Sequence, residues 1–255
     1  MGGAQDAVER TDGEQGAAAG RLTTARRLAV VEGLLLVTAG PGLAVILLWR
    51  PPVWLVGVAL LPVGPALAAA LFAWRKLDAV GGSAAAHFWR GYRLDVVDAV
   101  RVWVPGLVLL FLLSGAFAAS FDFQVPLLAA ALAGLATAAV TAWVTHALLV
   151  AAVFSFRLGD TARIAGYFVL SRATASVRAV ALVAIAVGGV LLGAGWLVVL
   201  LASVFSLLLW RSQRPVAAEI ERRFVVGAPD AVQAKPWPGL DDLPEVDVED
   251  QPDGD

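Results

Sequence analysis

Six long apolar segments alternate with polar segments along the chain, and this pattern predicts a bundle of membrane-spanning helices. Helices are expected because a bilayer offers no partner to the open N–H and C=O groups of an irregular backbone. About 20 residues are needed to cross roughly 30 Å of hydrocarbon, so the first two segments fit well and the last two are short. The segments are Leu28–Trp49, Val53–Trp74, Val102–Ala119, Pro126–Phe154, Val177–Leu192 and Gly195–Trp210.

The connection between the last two segments decides the number of spans. Gly193-Ala194-Gly195 is the expected turn, and a single long, kinked helix from Val177 to Trp210 is the alternative, which would leave five spans. Six spans place every basic residue except Arg50 on one side of the bilayer, the bias that the positive-inside rule describes. The sequence therefore predicts an all-α, polytopic transmembrane helix bundle of six spans in the plasma membrane, with both termini in the cytoplasm.

The polar ends of the chain predict tails around one membrane domain. Residues 1–22 contain little apolar surface, and residues 225–255 are rich in proline and then in acidic residues. Neither segment can bury enough apolar surface to offset its loss of conformational entropy. We expect two disordered cytoplasmic tails, 1–22 and 225–255, around a transmembrane domain at 23–224.

Composition excludes most soluble functions. Hydrophobic residues make up 59% of the chain and charged residues 16%, which no soluble domain of this length could accommodate. There is no cysteine, only two histidines, and no GxxxxGK[ST] or HExxH motif. The sequence thus predicts no catalytic residue, no metal, no cofactor and no enzymatic activity, and it contains no signal for nucleic-acid binding.

Proline and glycine interrupt the first two segments. Pro41 lies between two glycines, and Pro62 precedes Gly64 and Pro65. Because proline removes a backbone donor and clashes with the preceding turn, a kink or an unwound turn is expected at both places. Paired interruptions can form a substrate site, but they also shape ordinary packing, which we favour because the other half of the chain lacks a matching pair.

The fourth segment has a small-residue face that ends in a histidine. Ala130, Gly134, Ala138, Ala142 and His146 recur every four residues, which predicts close packing against another helix. His146 then points into the bundle, where an ionisable residue is a functional candidate by default. The alternative, which we favour, is a neutral histidine that is hydrogen-bonded to a threonine or a carbonyl one helix away.

Glu32 is the other ionisable candidate within an apolar segment. It lies about one turn inside the first segment, so an interfacial ion pair with Arg26 or Arg27 is the favoured interpretation. A proton or cation site is the alternative.

Aromatic and basic residues are interleaved in the segment between the second and third spans. The residues Phe88, Trp89, Arg90, Tyr92 and Arg93 suit a helix that lies in the headgroup layer, and they are also candidates for docking a partner protein. Nearby, Asp98 and Arg101 have the spacing of a helical ion pair. A second amphipathic stretch runs from Thr161 to Arg172, with an apolar side that is predicted to contain Ile164, Tyr167, Phe168 and Leu170.

Several of these motifs resemble a known family. They are Pro62, Gly64-Pro65-Ala66, Trp74-Arg75-Lys76-Leu77 and Phe88-Trp89-Arg90-Gly91-Tyr92-Arg93, all between Leu61 and Pro105. The stretch is similar to the YesL-like bacterial integral membrane proteins, a domain of unknown function. The spacer after Pro62 is shorter than in the family, and Asp95 replaces a common asparagine. The resemblance implies an association with carbohydrate utilisation.

Two hypotheses for the function follow. The first is a membrane component or accessory of solute uptake, with carbohydrate favoured by the resemblance. The second is a non-transporting membrane module that recruits or regulates a partner protein through its cytoplasmic loops. The expected partners are therefore the lipid bilayer and either another membrane protein or a transport component, with no nucleic acid.

Overall fold

Every regular element is an α-helix in the computed structural model, which describes residues 20, 22–49, 51–122, 126–154 and 156–224. The predicted all-α class is confirmed, and the predicted tails lie outside the described residues apart from positions 20 and 22. In chain order the helices are α1 Leu22–Thr38, α2 Gly40–Trp49, α3 Val53–Ala59, α4 Val63–Ala79, α5 Ala84–Asp122, α6 Leu127–Val153, α7 Leu158–Ser171, α8 Ala173–Leu191, α9 Gly195–Leu200 and α10 Ala202–Phe224.

Four stretches of helix are long and apolar enough to cross a membrane: Trp54–Ala79, Ala84–Ser120, Leu127–Val153 and Ala173–Leu191. The bent pair α1 and α2 makes a fifth if the two helices are counted as one span. The helices therefore indicate a multi-pass membrane protein. Six spans remain a prediction, because the last expected span is divided between the six-residue α9 and the beginning of α10.

Both interruptions that contain proline and glycine break their helices. α1 and α2 meet at an angle of 67°, and three residues separate α3 from α4. The two breaks also touch each other, since a Cβ on Gly42 would lie 2.0 Å from the carbonyl oxygen of Ala59. Only glycine permits this approach of two backbones. The predicted kinks are confirmed, and they form one contact region.

The expected turn at Gly193 is also confirmed. Gly193 has a φ of +81°, the left-handed conformation that glycine adopts without strain. α9 then folds back on α8, because a Cβ on Gly189 would lie 2.9 Å from Val198 Cγ2. The alternative of one long, kinked helix is therefore wrong. A further break at Leu201 separates α9 from α10, although the sequence has no proline or glycine there.

α5 joins two predicted elements into one. The aromatic and basic segment was expected as a helix in the headgroup layer, separate from the third span at Val102–Ala119. The structure instead has one helix of 39 residues, about 58 Å long. Its first half packs against α4, where Gly91 meets Phe72 and Trp103 meets Gly64. The segment is therefore an extension of the spanning helix, because α4 offers its apolar residues a continuous surface.

Buried residues concentrate at one end of the bundle, which we call the packed end. In α6 they run from Thr141 to Ala152, whereas the first half of the helix is exposed or half-buried. In α8 they are confined to the first seven residues. α4 is buried along most of its length, and α7 contributes Ile164 and Phe168 to the same core. The other half of the bundle presents apolar side chains outward, as lipid contact requires.

The prediction for the apolar side of α7 is correct for two of its four residues. Ile164 and Phe168 are buried, whereas Tyr167 and Leu170 are exposed. The buried positions follow the helical period: Thr161, Ile164, Ala165 and Phe168. Tyr167 and Leu170 were placed on the apolar side because they are hydrophobic, although they do not fit that period.

The chain divides into two compact units, residues 1–217 and 218–255. In the second unit the last seven residues of α10, 218–224, are described. Glu219 pairs there with Arg222 at 2.7 Å and also with Arg223, at the i, i+3 and i, i+4 spacings that bring side chains together on a helix.

Candidate functional site

His146 is fully buried at the packed end and joins three helices. Its Nδ1 lies 2.8 Å from Oε1 of Gln213 on α10, and its Nε2 lies 2.9 Å from Oγ of Ser176 on α8. Gln213 is also fully buried, and Ser176 nearly so. A polar cluster in this position fixes the relative positions of its helices, because separating them would leave several buried polar groups without hydrogen-bond partners.

The donors and acceptors of this cluster allow more than one arrangement. With a neutral imidazole, Nδ1–H donates to Gln213 Oε1 and Nε2 accepts from the Ser176 hydroxyl. The same hydroxyl lies 3.0 Å from the carbonyl oxygen of Val169, so it can donate there instead when Nε2 carries a proton. Gln213 Nε2 has no partner among the described residues. The Ser176 hydroxyl can therefore change its hydrogen-bond partner without any movement of the helices.

The expected partner of His146 was a threonine or a backbone carbonyl, and the structure supplies Ser176 and Gln213 instead. The hydroxyls of Thr137, Thr141 and Thr145 donate to carbonyls one turn earlier in α6 itself. This back-bonding is the usual arrangement for threonine inside a helix. Sequence inspection missed Gln213 because it lies in a polar stretch after the last apolar segment, where a glutamine is unremarkable by type.

Glu32 reaches across the bundle to the beginning of α10. Its Oε2 accepts a hydrogen bond of 2.7 Å from the backbone N–H of Ser203, and its Oε1 is buried without a partner among the described residues. The expected ion pair with Arg26 or Arg27 is not formed within the described part of the chain. The free N–H groups and the helix dipole at a helix N-terminus stabilise a carboxylate. This explains why Glu32 binds the N-terminus of α10 and not an arginine.

Two helix breaks lie near this contact along the chain, and the third break touches one of them through Gly42 and Ala59. The α9–α10 break at Leu201 is two residues from Ser203, and the α1–α2 break is about 10 Å along α1 from Glu32. α9 packs on α2, since a Cβ on Gly195 would lie 2.3 Å from Leu47 Cδ2. At the α3–α4 break, the carbonyl of Leu60 accepts a 2.9 Å hydrogen bond from the Trp103 indole. Neither Ser203 nor Trp103 was identified from the sequence.

The candidate residues on α5 divide between the core and the surface. Phe88 is fully buried and stacks on Tyr92 at 6.4 Å between ring centroids, with Trp89 edge-on to both rings. Arg90 and Arg93 are exposed. Together with Ala86, Trp89 and Leu94 they line an open concavity of about 470 Å³. The predicted pair of Asp98 and Arg101 is present at 3.1 Å.

No group of three or more His, Asp or Glu side chains within the described ranges is placed to hold a metal ion. The candidate residues from the sequence thus lie in three places, the His146 cluster, the Glu32 contact and the surface of α5.

Comparison with known proteins adds no family to these observations. No protein-family model, no curated protein and no solved structure matches the chain. The resemblance to the YesL-like family thus remains a prediction from the motifs between Leu61 and Pro105.

Proposed function

We propose that the chain is a membrane component of solute uptake, whose site lies at Glu32 and the beginning of α10, next to the break between α9 and α10. The observation that carries the proposal is the contact from Glu32 to the Ser203 N–H at the beginning of α10. It combines an ionisable side chain with a helix that begins inside an apolar bundle.

Broken helices suit solute binding because each break frees backbone groups that a continuous helix would use internally. Transporters of several folds bind substrates or coupling ions with such helix ends near the middle of the membrane. Here the second oxygen of Glu32 remains without a described partner. A carboxylate in this position is costly to maintain in a membrane and is a functional candidate for that reason.

The resemblance to the YesL-like family favours a carbohydrate as the solute. A sugar hydroxyl can donate to a carboxylate oxygen such as Glu32 Oε1 and can accept from backbone N–H groups at a helix end. The proposed orientation has six spans and the packed end in the cytoplasm, because the basic residues concentrate on the connections at that end. In this proposal both tails are cytoplasmic and the membrane is the plasma membrane.

Uptake of radiolabelled mono- and disaccharides into liposomes tests the proposal. We expect saturable uptake by the wild-type protein and at least a tenfold loss in a Glu32→Gln variant, if the charge contributes about 1.4 kcal/mol or more to solute or ion binding. Glutamine can still accept the Ser203 N–H, so the variant should retain its fold and thermal stability.

The matched control is Asp160→Asn, which removes an exposed carboxylate from the first turn of α7. It should transport like the wild type. Uptake that is unaffected by Glu32→Gln would show that Glu32 is not part of the site, and it would leave the proposal of solute uptake standing. Absence of uptake for every sugar, together with a co-purifying membrane protein, would favour the partner-recruiting hypothesis instead.

A further inference from the structure

Glu32 lies apart from the basic residues of the helices around it. The helices at the breaks, α2, α3 and α9, contain no ionisable residue. Arg26 and Arg27 lie about 9 and 8 Å before Glu32 along α1, and Arg211, the first basic residue of α10, lies about 12 Å beyond Ser203. None of these arginines pairs with Glu32 in the described part of the chain.

The charged residues of α4, which is hydrogen-bonded to α10, also have other contacts. Trp74 of α4 donates to the Ser206 hydroxyl of α10 at 3.0 Å. The charged residues that follow in α4 contact groups other than Glu32: the Val153 carbonyl for Arg75, the Phe72 ring for Lys76, and Trp210 and Arg214 for Asp78. Within the described ranges, the charge of an ionised Glu32 is therefore stabilised by the beginning of α10 and by no basic side chain.

One carboxyl oxygen of Glu32 is available to bind a proton. Oε2 accepts the Ser203 N–H at 2.7 Å, whereas Oε1 is buried without a partner among the described residues. An ionised carboxylate without a cation is costly inside a membrane, and a proton on Oε1 removes that charge. The neutral carboxyl donates a hydrogen bond from Oε1, whereas the carboxylate only accepts. A solute oxygen at Oε1 therefore meets a different group in each state.

A proton suits this position better than a metal cation. A hard cation such as Mg²⁺ or Ca²⁺ takes about six oxygen ligands or more. Oε2 already accepts an N–H, so Oε1 is the one carboxyl oxygen that Glu32 can still offer. Glu32 also belongs to no group of three or more His, Asp or Glu side chains among the residues that the structure describes. A proton needs a single oxygen.

We propose that Glu32 Oε1 binds the coupling proton of solute uptake. On the outer side a proton from water forms an O–H bond with Oε1, and the neutral carboxyl donates to an oxygen of the solute. On the cytoplasmic side the O–H bond breaks, the proton returns to water and the carboxylate is restored. One proton thus enters with each solute molecule. The inference rests on the proposed solute uptake and names the ion that drives it.

Uptake of the radiolabelled sugars into liposomes with an imposed pH gradient tests the coupling. With the pH about one unit lower outside than inside, the wild type should accumulate sugar up to about tenfold, since one pH unit is a tenfold difference in proton activity. Glu32→Gln should lose this accumulation. It should still exchange labelled for unlabelled sugar across the membrane, because glutamine resembles the neutral carboxyl and cannot release a proton.

The matched control is Asp95→Asn, which removes the other carboxyl group with a buried oxygen that has no described partner. It should accumulate sugar like the wild type. Infrared difference spectroscopy of the full-length protein in liposomes, between acidic and alkaline pH, measures the proton without any solute. We expect the C=O band of a protonated carboxyl group that disappears at alkaline pH, is absent from Glu32→Gln and persists in Asp95→Asn.

The outcomes separate the coupling ion from uptake itself. Accumulation that follows a sodium gradient and is unaffected by the pH gradient would overturn the proton and leave solute uptake standing. Accumulation driven by the pH gradient in Glu32→Gln, or an infrared spectrum that this variant shares with the wild type, would overturn Glu32 as the proton site. An infrared band that depends on Glu32, without uptake or exchange of any sugar, would support proton binding and contradict the proposed uptake.

Discussion

A Gly64→Ala variant is expected to be less stable than the wild-type protein by about 1–3 kcal/mol, the usual cost of forcing extra volume into a packed interface. Gly64 lies in the first turn of α4, directly against Trp103 of α5. An added Cβ would lie 2.3 to 2.7 Å from three atoms of the Trp103 side chain, including its own Cβ. The indole therefore cannot relieve the clash by moving its far end alone.

The same substitution should weaken the α3–α4 break. Trp103 donates to the carbonyl of Leu60 at that break, and displacing the ring lengthens or removes the hydrogen bond. Thermal unfolding in detergent, followed by the loss of monodisperse protein, measures the combined effect. The matched control is Gly115→Ala in α5, where an added Cβ meets no atom within 4 Å. That change should stabilise the helix slightly, by about 0.5–1 kcal/mol. Equal stability of the two variants would contradict the close packing of α4 and α5.

Replacement of His146 by leucine is expected to cost about 1–3 kcal/mol for each polar partner left unpaired in the core. Gln213 would lose the partner of its Oε1, whereas the Ser176 hydroxyl would keep the carbonyl of Val169 as an acceptor. Gln213 is buried, so water cannot replace the missing hydrogen bond. The thermal stability of His146→Leu in detergent checks the effect. Thr137→Val is the control, because that hydroxyl bonds only within its own helix.

A His146→Gln variant separates a structural role from proton handling. Glutamine keeps a donor and an acceptor but does not bind a proton near neutral pH. We expect it to be nearly as stable as the wild type and to leave the pH dependence of uptake unchanged. Loss of that pH dependence in a stable His146→Gln protein would show that His146 takes part in proton transfer, contrary to the structural role favoured here.

The helical class and several helix ends could be predicted because they depend on local properties. Apolar length, proline and the glycine turn at Gly193 each act within a few residues, and the structure confirms them. The break at Leu201 could not be predicted, because no local helix breaker marks it. It coincides instead with a tertiary interaction, the hydrogen bond from the Ser203 N–H to Glu32.

The candidate residues were easier to identify than their partners. His146 and Glu32 are conspicuous because they are ionisable residues in apolar segments. Gln213 and Ser176 are ordinary polar residues by sequence, and only the packing of α6, α8 and α10 brings them to His146. Sequence distance favours the nearby arginines as partners of Glu32, whereas in the structure the Ser203 N–H at the beginning of α10 is its partner.

Single-cysteine labelling of intact cells tests the central claim, a multi-pass bundle with its packed end in the cytoplasm, most directly. The chain contains no cysteine, so each variant reports one position. Ser83 and Ser171 are exposed near the packed end, and Leu192 is exposed at the α8–α9 turn. We predict that a membrane-impermeant maleimide labels Leu192→Cys in intact cells, and labels Ser83→Cys and Ser171→Cys only after permeabilisation. Labelling of Ser83→Cys or Ser171→Cys in intact cells, or equal labelling at all three positions, would contradict the account.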